Sequence, residues 1–308
     1  MLQLEQYSIN ICPLNSCNMK CSFCVFVKDH KPVISAEKID FAAIKDFLRK
    51  DEIAALPINR IFLSGMGETL LYPDIIELTQ HVCTFGIQVL FFTNGVLLKP
   101  DISWKLLSAG VTDFCISATG LSGNVWKKMQ GYGKTSETAN KLVKVIHENV
   151  ESLCHNRDLI NPDAIVTMNY ILTQETQSEV FTYVDYMRSI GVDYVTLVPF
   201  SNLKVKEEPK KTLQERISCN RRNGKCLCRS IGLNMMIDYN GNMYSCCTFV
   251  KEDLIIGNIY KDTLTEIMNG SKLQGILEPL LTGRGALPST CEYCLTHIDY
   301  VSSEEGWL

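Results

Sequence analysis

From the N-terminus to about residue 200, short apolar runs alternate with amphipathic stretches, the pattern of βα units around a parallel sheet. Runs at 7–13, 60–64, 87–93, 113–118, 164–172 and 193–199 read as strands. Between them, 36–50, 74–85, 102–109, 135–154 and 178–190 read as helices. The fourth helix has the clearest period: Ala139, Leu142, Val143, Ile146 and Val150 recur at helical spacing, with Lys141, Lys144 and Glu148 off that face. Six strands with crossovers predict an α/β fold, a partial (β/α)6 TIM-like barrel, because a closed eightfold barrel takes about 250 residues. Chemistry in such barrels collects at the C-terminal ends of the strands. Cys17, Gly65, Thr93 and Ser117 all fall at or just past predicted strand ends.

The pattern breaks after residue 200. Residues 204–229 hold nine Lys or Arg against three Asp or Glu without a period. Such a segment reads as a solvated linker, or as a docking face for an acidic electron donor or an anionic substrate. Residues 233–246 read as two short strands around Asn240-Gly241, a pair that favours a type I′ hairpin turn because both central residues take positive φ. Two short helices at 263–270 and 271–281 and a loop broken by Gly and Pro lead to Cys291-Glu-Tyr-Cys294. The expected division is a core at 1–203, a charged linker at 204–227 and a small C-terminal domain at 228–308.

Composition narrows the function classes. Hydrophobic content of 46% and charged content of 21% suit a globular chain with a substantial core. A net charge of −4 gives no reason to expect a nucleic-acid partner. No stretch approaches the ~18 consecutive apolar residues of a membrane span. Fourteen cysteines would suggest disulfides in a small secreted domain. The start, Met-Leu-Gln-Leu-Glu-Gln-Tyr, lacks a basic region followed by an apolar run. A cytoplasmic location and metal or catalytic use of the cysteines are the expectation.

Candidate chemistry begins at Cys17-Asn-Met-Lys-Cys21-Ser-Phe-Cys24. Three thiolates in one loop can converge on a metal centre and leave its fourth corner empty. Structural zinc wants four protein ligands, whereas an iron–sulfur cluster tolerates three cysteines when an outside molecule completes the shell. A zinc loop or three unrelated cysteines is the alternative. The strand ending at Ser64 runs into Gly65-Met66-Gly67-Glu68-Thr69. Glycines there let backbone approach a ligand, and a carboxylate beside them can receive an ammonium group. Further along, a cysteine before a hairpin, Cys246 after it and a distant CxxC supply four thiolates, a complete shell for one cluster.

These motifs, in this order, resemble the radical S-adenosylmethionine (SAM) superfamily and, within it, SPASM/twitch enzymes with one auxiliary [4Fe–4S] cluster. The resemblance implies that Cys17, Cys21 and Cys24 hold a [4Fe–4S] cluster whose open iron binds SAM. It implies that Gly65, Met66, Gly67, Glu68 and Thr69 correspond to the GGEP-type motif for the methionine amino group, with Met66 in place of the second glycine and Thr69 in place of proline. Phe23 matches an aromatic near adenine, and Ser117 and Asn169 resemble ribose or carboxylate contacts. For the auxiliary cluster it points to Cys228, Cys246, Cys291 and Cys294, with Cys226 as an alternative first ligand. Ile256-Gly257-Asn258-Ile259 and Leu264 to Ile267 are also similar to the segment between those cysteines. Cys294 is the last cysteine in the chain, which favours the one-cluster form.

Cleaving a sulfonium C–S bond with one electron needs a strong reductant, and cluster potentials reach about −700 mV. The expected product is a 5′-deoxyadenosyl radical that takes hydrogen from an unactivated C–H of a small polar substrate. The resemblance to aminocyclitol dehydrogenases implies oxidation of an alcohol to a ketone in specialised metabolite (antibiotic) biosynthesis. A flavodoxin or ferredoxin is the expected electron donor. Three alternatives stay open: an epimerase with Cys247 as hydrogen donor, a peptide maturase, and a non-catalytic iron–sulfur or zinc redox sensor. Tyr132, Arg188 and His297 are candidate bases by residue type alone, and Cys12, Cys83, Cys115 and Cys154 read as core.

Overall fold

The computed structural model describes residues 7–24, 37–199, 221–222, 225–226, 234–247, 250–282 and 285–292. Six parallel strands stand side by side in chain order: β1 (Tyr7–Ile11), β2 (Ile58–Leu63), β3 (Gln88–Thr93), β4 (Asp113–Ser117), β5 (Ile165–Leu172) and β6 (Tyr194–Pro199). Helices α1 (Phe41–Phe47), α2 (Lys50–Ala55), α3 (Ile75–Cys83), α4 (Pro100–Ala109), α5 (Gly123–Met129), α6 (Ser136–Ile160) and α7 (Val180–Ser189) connect them. The strands do not close on themselves, which is the expected partial barrel.

Alternation along each strand sorts the side chains into two faces. Val89 and Phe91, Phe114 and Ile116, and Val166, Met168 and Tyr170 are buried under the helices. The intervening Phe92, Cys115, Ser117, Thr167 and Asn169 are only half-buried. Parallel sheets normally bury both faces, so the half-exposed second face marks an open barrel interior. Cys115 belongs to that interior rather than to the closed core where the sequence places it. Cys12 and Cys154 are buried as expected, while Cys83 is partly exposed.

Local chemistry starts the helices where they start. Asp40 caps α1 by accepting from Ala43 N–H at 2.9 Å, and Thr135 caps α6 by accepting from Thr138 N–H at 3.1 Å. Each such cap contributes about 1 kcal/mol. The single helix expected at 36–50 is two: Arg49 is extended (φ −94°, ψ 146°), so α1 stops and α2 begins anew. Helix α6 runs six residues past its expected end at 154. Polar contacts hold that last stretch: Asn156 donates to Pro100 O and to Ser103 Oγ, and Arg157 pairs with Asp193 at 2.5 Å.

The C-terminal hairpin extends the same sheet. Strands β7 (Arg221–Arg222) and β8 (Lys225–Cys226) form a separate pair. Strand β9 (Asn234–Ile237) lies parallel to β1 with Ser8 opposite Asn234. Strands β10 (Asn242–Tyr244) and β11 (Ile255–Asn258) follow antiparallel. The turn is not the two-residue type I′ expected at Asn240-Gly241. Ile237 pairs with Met243, Gly241 N–H donates to Asp238 O at 2.9 Å and Gly241 takes φ 76°, a three-residue loop ending on a left-handed glycine. The buried Asp238 carboxylate sets that length by accepting from Asn240 N–H at 2.9 Å and Asn242 N–H at 2.8 Å. Helices α8 (Leu264–Asn269) and α9 (Ser271–Thr282) follow, and residues 285–292 are described after them. No helix among the described residues is long and apolar enough to cross a membrane.

Candidate active site

The loop at 12–24 leaves the C-terminal end of β1 and carries the three-cysteine motif. Cys17, Cys21 and Cys24 line one cavity of about 370 Å³, together with residues 64–69 after β2, Phe92 to Asn94 at the end of β3, Ser117 and Gln130. Distant residues shape this loop. Asn94 Nδ2 donates to Asn18 Oδ1 at 2.7 Å. Ser22 donates to the Met129 carbonyl through its N–H at 2.8 Å and its hydroxyl at 3.1 Å.

Burial pushes the Cys17 thiol up to about 11; the Met19 N–H opposes this, while the Glu68 and Cys24 charges add to it. Cys21 is pushed up further, by burial first and then by Cys17, Cys24 and Glu68. Cys17 and Cys21 thus feel the charge of neighbouring sulfurs, and metal binding to them must release protons. Among the described residues no three His, Cys, Asp or Glu converge on a point where one metal ion could sit. Each thiolate of a cubane cluster binds its own iron, so such a site keeps its sulfurs apart around a shared space.

The loop after β2 presses against the cysteine loop. A Cβ on Gly65, whose φ is 134°, would stand 2.0 Å from Cys12 Sγ, and a Cβ on Gly67 would stand 2.3 Å from the Ser16 carbonyl oxygen. The glycines therefore serve the packing of two loops, a reason the motif alone does not give. Glu68 N–H donates to the same Ser16 oxygen at 2.8 Å. Glu68 is 2% exposed. Its Oε1 accepts from Thr93 Oγ1 at 2.6 Å and Leu70 N–H at 3.2 Å, and its Oε2 from Asn94 N–H at 2.8 Å. Burial raises its pKa and these donors oppose the rise. With both oxygens engaged, Glu68 fixes the loop whose backbone borders the cavity, where the sequence alone suggests a seat for an ammonium.

Phe23, Met66, Thr69 and Ser117 border the same cavity. Asn169 lies outside that lining, opposite Ser117 in the β4–β5 register. Tyr132 and Arg188 are also outside it, and His297 lies outside the described residues. Sequence reasoning missed Asn94, Gln130 and Asn15. Gln130 donates to Ser117 O at 2.5 Å and accepts from Thr119 N–H at 2.8 Å, tying α5 to the end of β4. Asn15 Nδ2 donates to Glu37 at 3.2 Å, and its buried Oδ1 has no partner among the described residues. Such an acceptor suits a donor brought by a ligand. Soft thiolate donors, the aromatic lining of Phe23 and Phe92 and a cavity of cofactor size fit an iron–sulfur cluster with a small zwitterionic molecule beside it.

At the second cysteine set, Cys246 and Cys291 are each 4% exposed and share the hydrophobic core. Cys228 and Cys294 lie outside the described residues, and Cys226 is described only by its backbone in β8. Cys247 is half-buried and close enough to Cys12, just past the end of β1, for their charges to interact.

The sequence model of the radical SAM superfamily matches residues 11–187, more than half of the 308 residues. The chain belongs to the radical SAM superfamily. The SPASM iron-sulfur cluster-binding domain matches residues 228–295. Together the two domains imply [4Fe–4S] clusters and SAM binding. Among solved structures, Streptococcus suis SuiB bound to S-adenosylmethionine is similar at TM-score 0.65 and 17% identity, over 95% of this chain and 72% of that one. Native anSMEcpe with bound AdoMet is similar at TM-score 0.62 and 14% identity, over 94% and 88%. These likenesses are of fold. The AdoMet-dependent heme synthase of Methanosarcina barkeri is 31% identical over 115 residues, 37% of this chain and 32% of that protein. The probable GTP 3',8-cyclase of Saccharolobus solfataricus is 24% identical over 185 residues, 60% of this chain and 54% of that protein. The chain thus spans about a third and about half of the lengths of these curated relatives.

Proposed function

We propose that this radical SAM protein is an oxidoreductase that removes a hydrogen atom from a carbinol carbon of a small polar substrate, of sugar or aminocyclitol type, and completes its oxidation to a ketone. The observation that carries this reading is a single cavity bordered by three thiols and by the Gly65–Thr69 loop in a chain that holds a second cysteine set. When bound, the cluster and SAM supply a low-potential electron and a radical able to abstract hydrogen. Cys17, Cys21 and Cys24 would hold the cluster, in a cavity whose bordering loops are pinned by Glu68, Asn94 and Gln130. The half-buried interior face from Phe92 to Asn169 provides space for substrate beside Ser117. Alcohol oxidation removes a hydrogen atom, a proton and an electron. Cys228, Cys246, Cys291 and Cys294 would hold the group that takes the electron. A core at 1–203, a linker at 204–227 and an auxiliary domain at 228–308 accord with this division of labour, and a flavodoxin or ferredoxin would supply electrons.

A peptide substrate is the second reading. SuiB was also solved with its precursor peptide SuiA, similar at TM-score 0.64, and anSMEcpe with the Cp18Cys peptide, at 0.59. BtrN in complex with AdoMet and 2-DOIA is similar at 0.52. The test is incubation of the reduced enzyme with SAM and a panel of aminocyclitols, aminoglycosides and peptides in deuterated water. Loss of two hydrogens from an alcohol supports the proposal, and the same loss from a peptide moves the substrate class. Solvent deuterium fixed at carbon without mass loss of two hydrogens would replace oxidation by epimerisation. Cys247→Ala should then stop turnover while sparing SAM cleavage.

A further inference from the structure

The described part of the second cysteine set is held by two neighbouring residues that belong to neither cysteine motif. Cys246 follows Ser245, whose N–H donates to the Leu254 carbonyl at 3.0 Å. Cys291 follows Thr290, and here the partner is Asp253, the residue before Leu254. Asp253 Oδ2 accepts from Thr290 N–H at 2.8 Å and from Ser289 Oγ at 2.9 Å, and Oδ1 accepts from Thr290 Oγ1 at 2.7 Å. Burial works against ionisation of Asp253, and the Thr290 and Ser289 donors outweigh it and hold the carboxyl below its ordinary value.

This contact is more than a helix cap. A cap satisfies one or two backbone donors of the helix it begins. Asp253 reaches across 37 residues of chain, engages both carboxylate oxygens, and grips the two residues just before Cys291. Consecutive residues 253 and 254 thus fasten the segment entering Cys246 and the segment entering Cys291 to one short turn.

We propose that Asp253 is a positioning residue of the auxiliary iron–sulfur site, setting Cys291 against Cys246. The proposal rests on the reading of these cysteines as ligands. Outer contacts of this kind typically change metal retention by about 10–100-fold when removed. The test uses the full chain with Cys17, Cys21 and Cys24 changed to Ala, so that only the auxiliary cluster reports. After anaerobic loading, iron and sulfide content, the EPR signal of the reduced cluster and its rate of loss to a chelator are measured. Asp253→Ala should lose its cluster about tenfold faster than the parent, with an altered EPR signal. Asp253→Asn, which keeps an acceptor for Thr290 N–H and can donate to Thr290 Oγ1, should restore most of the parent behaviour. Glu266→Ala, which breaks the capping box of α8, should lower thermal stability and leave the cluster signal unchanged.

Parent-like chelator kinetics and EPR in Asp253→Ala overturn the clamp, as does equal cluster loss in Glu266→Ala. If Asp253→Ala is insoluble, Thr290→Val removes one donor: faster cluster loss supports the proposal and unchanged loss overturns it. A parent chain that loads no cluster at all defeats the ligand reading itself, which is a separate failure.

Discussion

Replacing Gly67 by Ala tests whether the two active-site loops work as one unit. The added Cβ would sit 2.3 Å from Ser16 O, 3.0 Å from Ser16 N and 3.1 Å from Leu14 O, all backbone atoms. The loops must part by about 1 Å to reach ordinary contact distance. Overpacking of this kind costs about 1–3 kcal/mol. Loss of the 2.8 Å bond from Glu68 N–H to Ser16 O adds about 0.5–1.5 kcal/mol. The sum, about 1.5–4.5 kcal/mol, should appear in urea unfolding of the apo chain. A displacement of about 1 Å between groups that orient the reactants can lower the rate by about 10²-fold. The assay is formation of 5′-deoxyadenosine from SAM by the reduced protein, with iron content measured in parallel. Gly67→Ala should keep its iron and lose most of this activity. Gly65→Ala differs, because its main clash is with the Cys12 side chain at 2.0 Å. Cys12→Ala should therefore relieve it in part, while no side-chain change relieves Gly67→Ala. Wild-type cleavage and stability in Gly67→Ala would refute the reasoning.

Glu68→Gln puts an amide N–H2 against donors that now meet a carboxylate, at a cost of about 1–3 kcal/mol. It should weaken SAM binding as measured by titration, and unchanged affinity would remove Glu68 from loop positioning. Asn15→Leu removes the buried acceptor and should raise the Kd for SAM severalfold with little change in iron content; equal affinity would show that no ligand donor reaches Oδ1. His147 is 9% exposed, and burial holds its pKa down to about 4. The unfolded value is about 6.5, so the unfolded chain binds the extra proton between these values. The stability tied to neutral His147 is present above pH ~6.5 and falls towards pH ~4 by up to about 3 kcal/mol. His147→Phe should flatten that part of the stability profile, and an unchanged slope would assign the acid sensitivity elsewhere.

The alternating pattern made the six strands and the partial barrel readable because each strand has one buried face, as in Phe114 and Ile116 against Cys115. Helix α5 escaped notice because seven residues beginning with Gly123 are too short to show a period, although Trp126 is fully buried. Asp238 changed the hairpin turn through side-chain bonds to Asn240 and Asn242 that a dipeptide rule does not weigh. In the site, Cys17, Cys21, Cys24 and Gly65 to Thr69 stood out because their spacing is local. Asn94 and Gln130 did not, since each acts across the fold: Asn94 meets Asn18 from 76 residues away. Asp253 was invisible for the same reason, its partners lying 36 and 37 residues on.

The central claim is that three thiols and the β2 loop together make a SAM-cleaving site. The most direct measurement is 5′-deoxyadenosine formed by anaerobically reconstituted, reduced protein, compared with the chain in which Cys17, Cys21 and Cys24 are Ala. The account predicts iron and sulfide sufficient for two clusters and SAM cleavage in the parent, with cleavage abolished and one cluster retained in the variant. Preparations that take up zinc without visible absorption and leave SAM intact would contradict it.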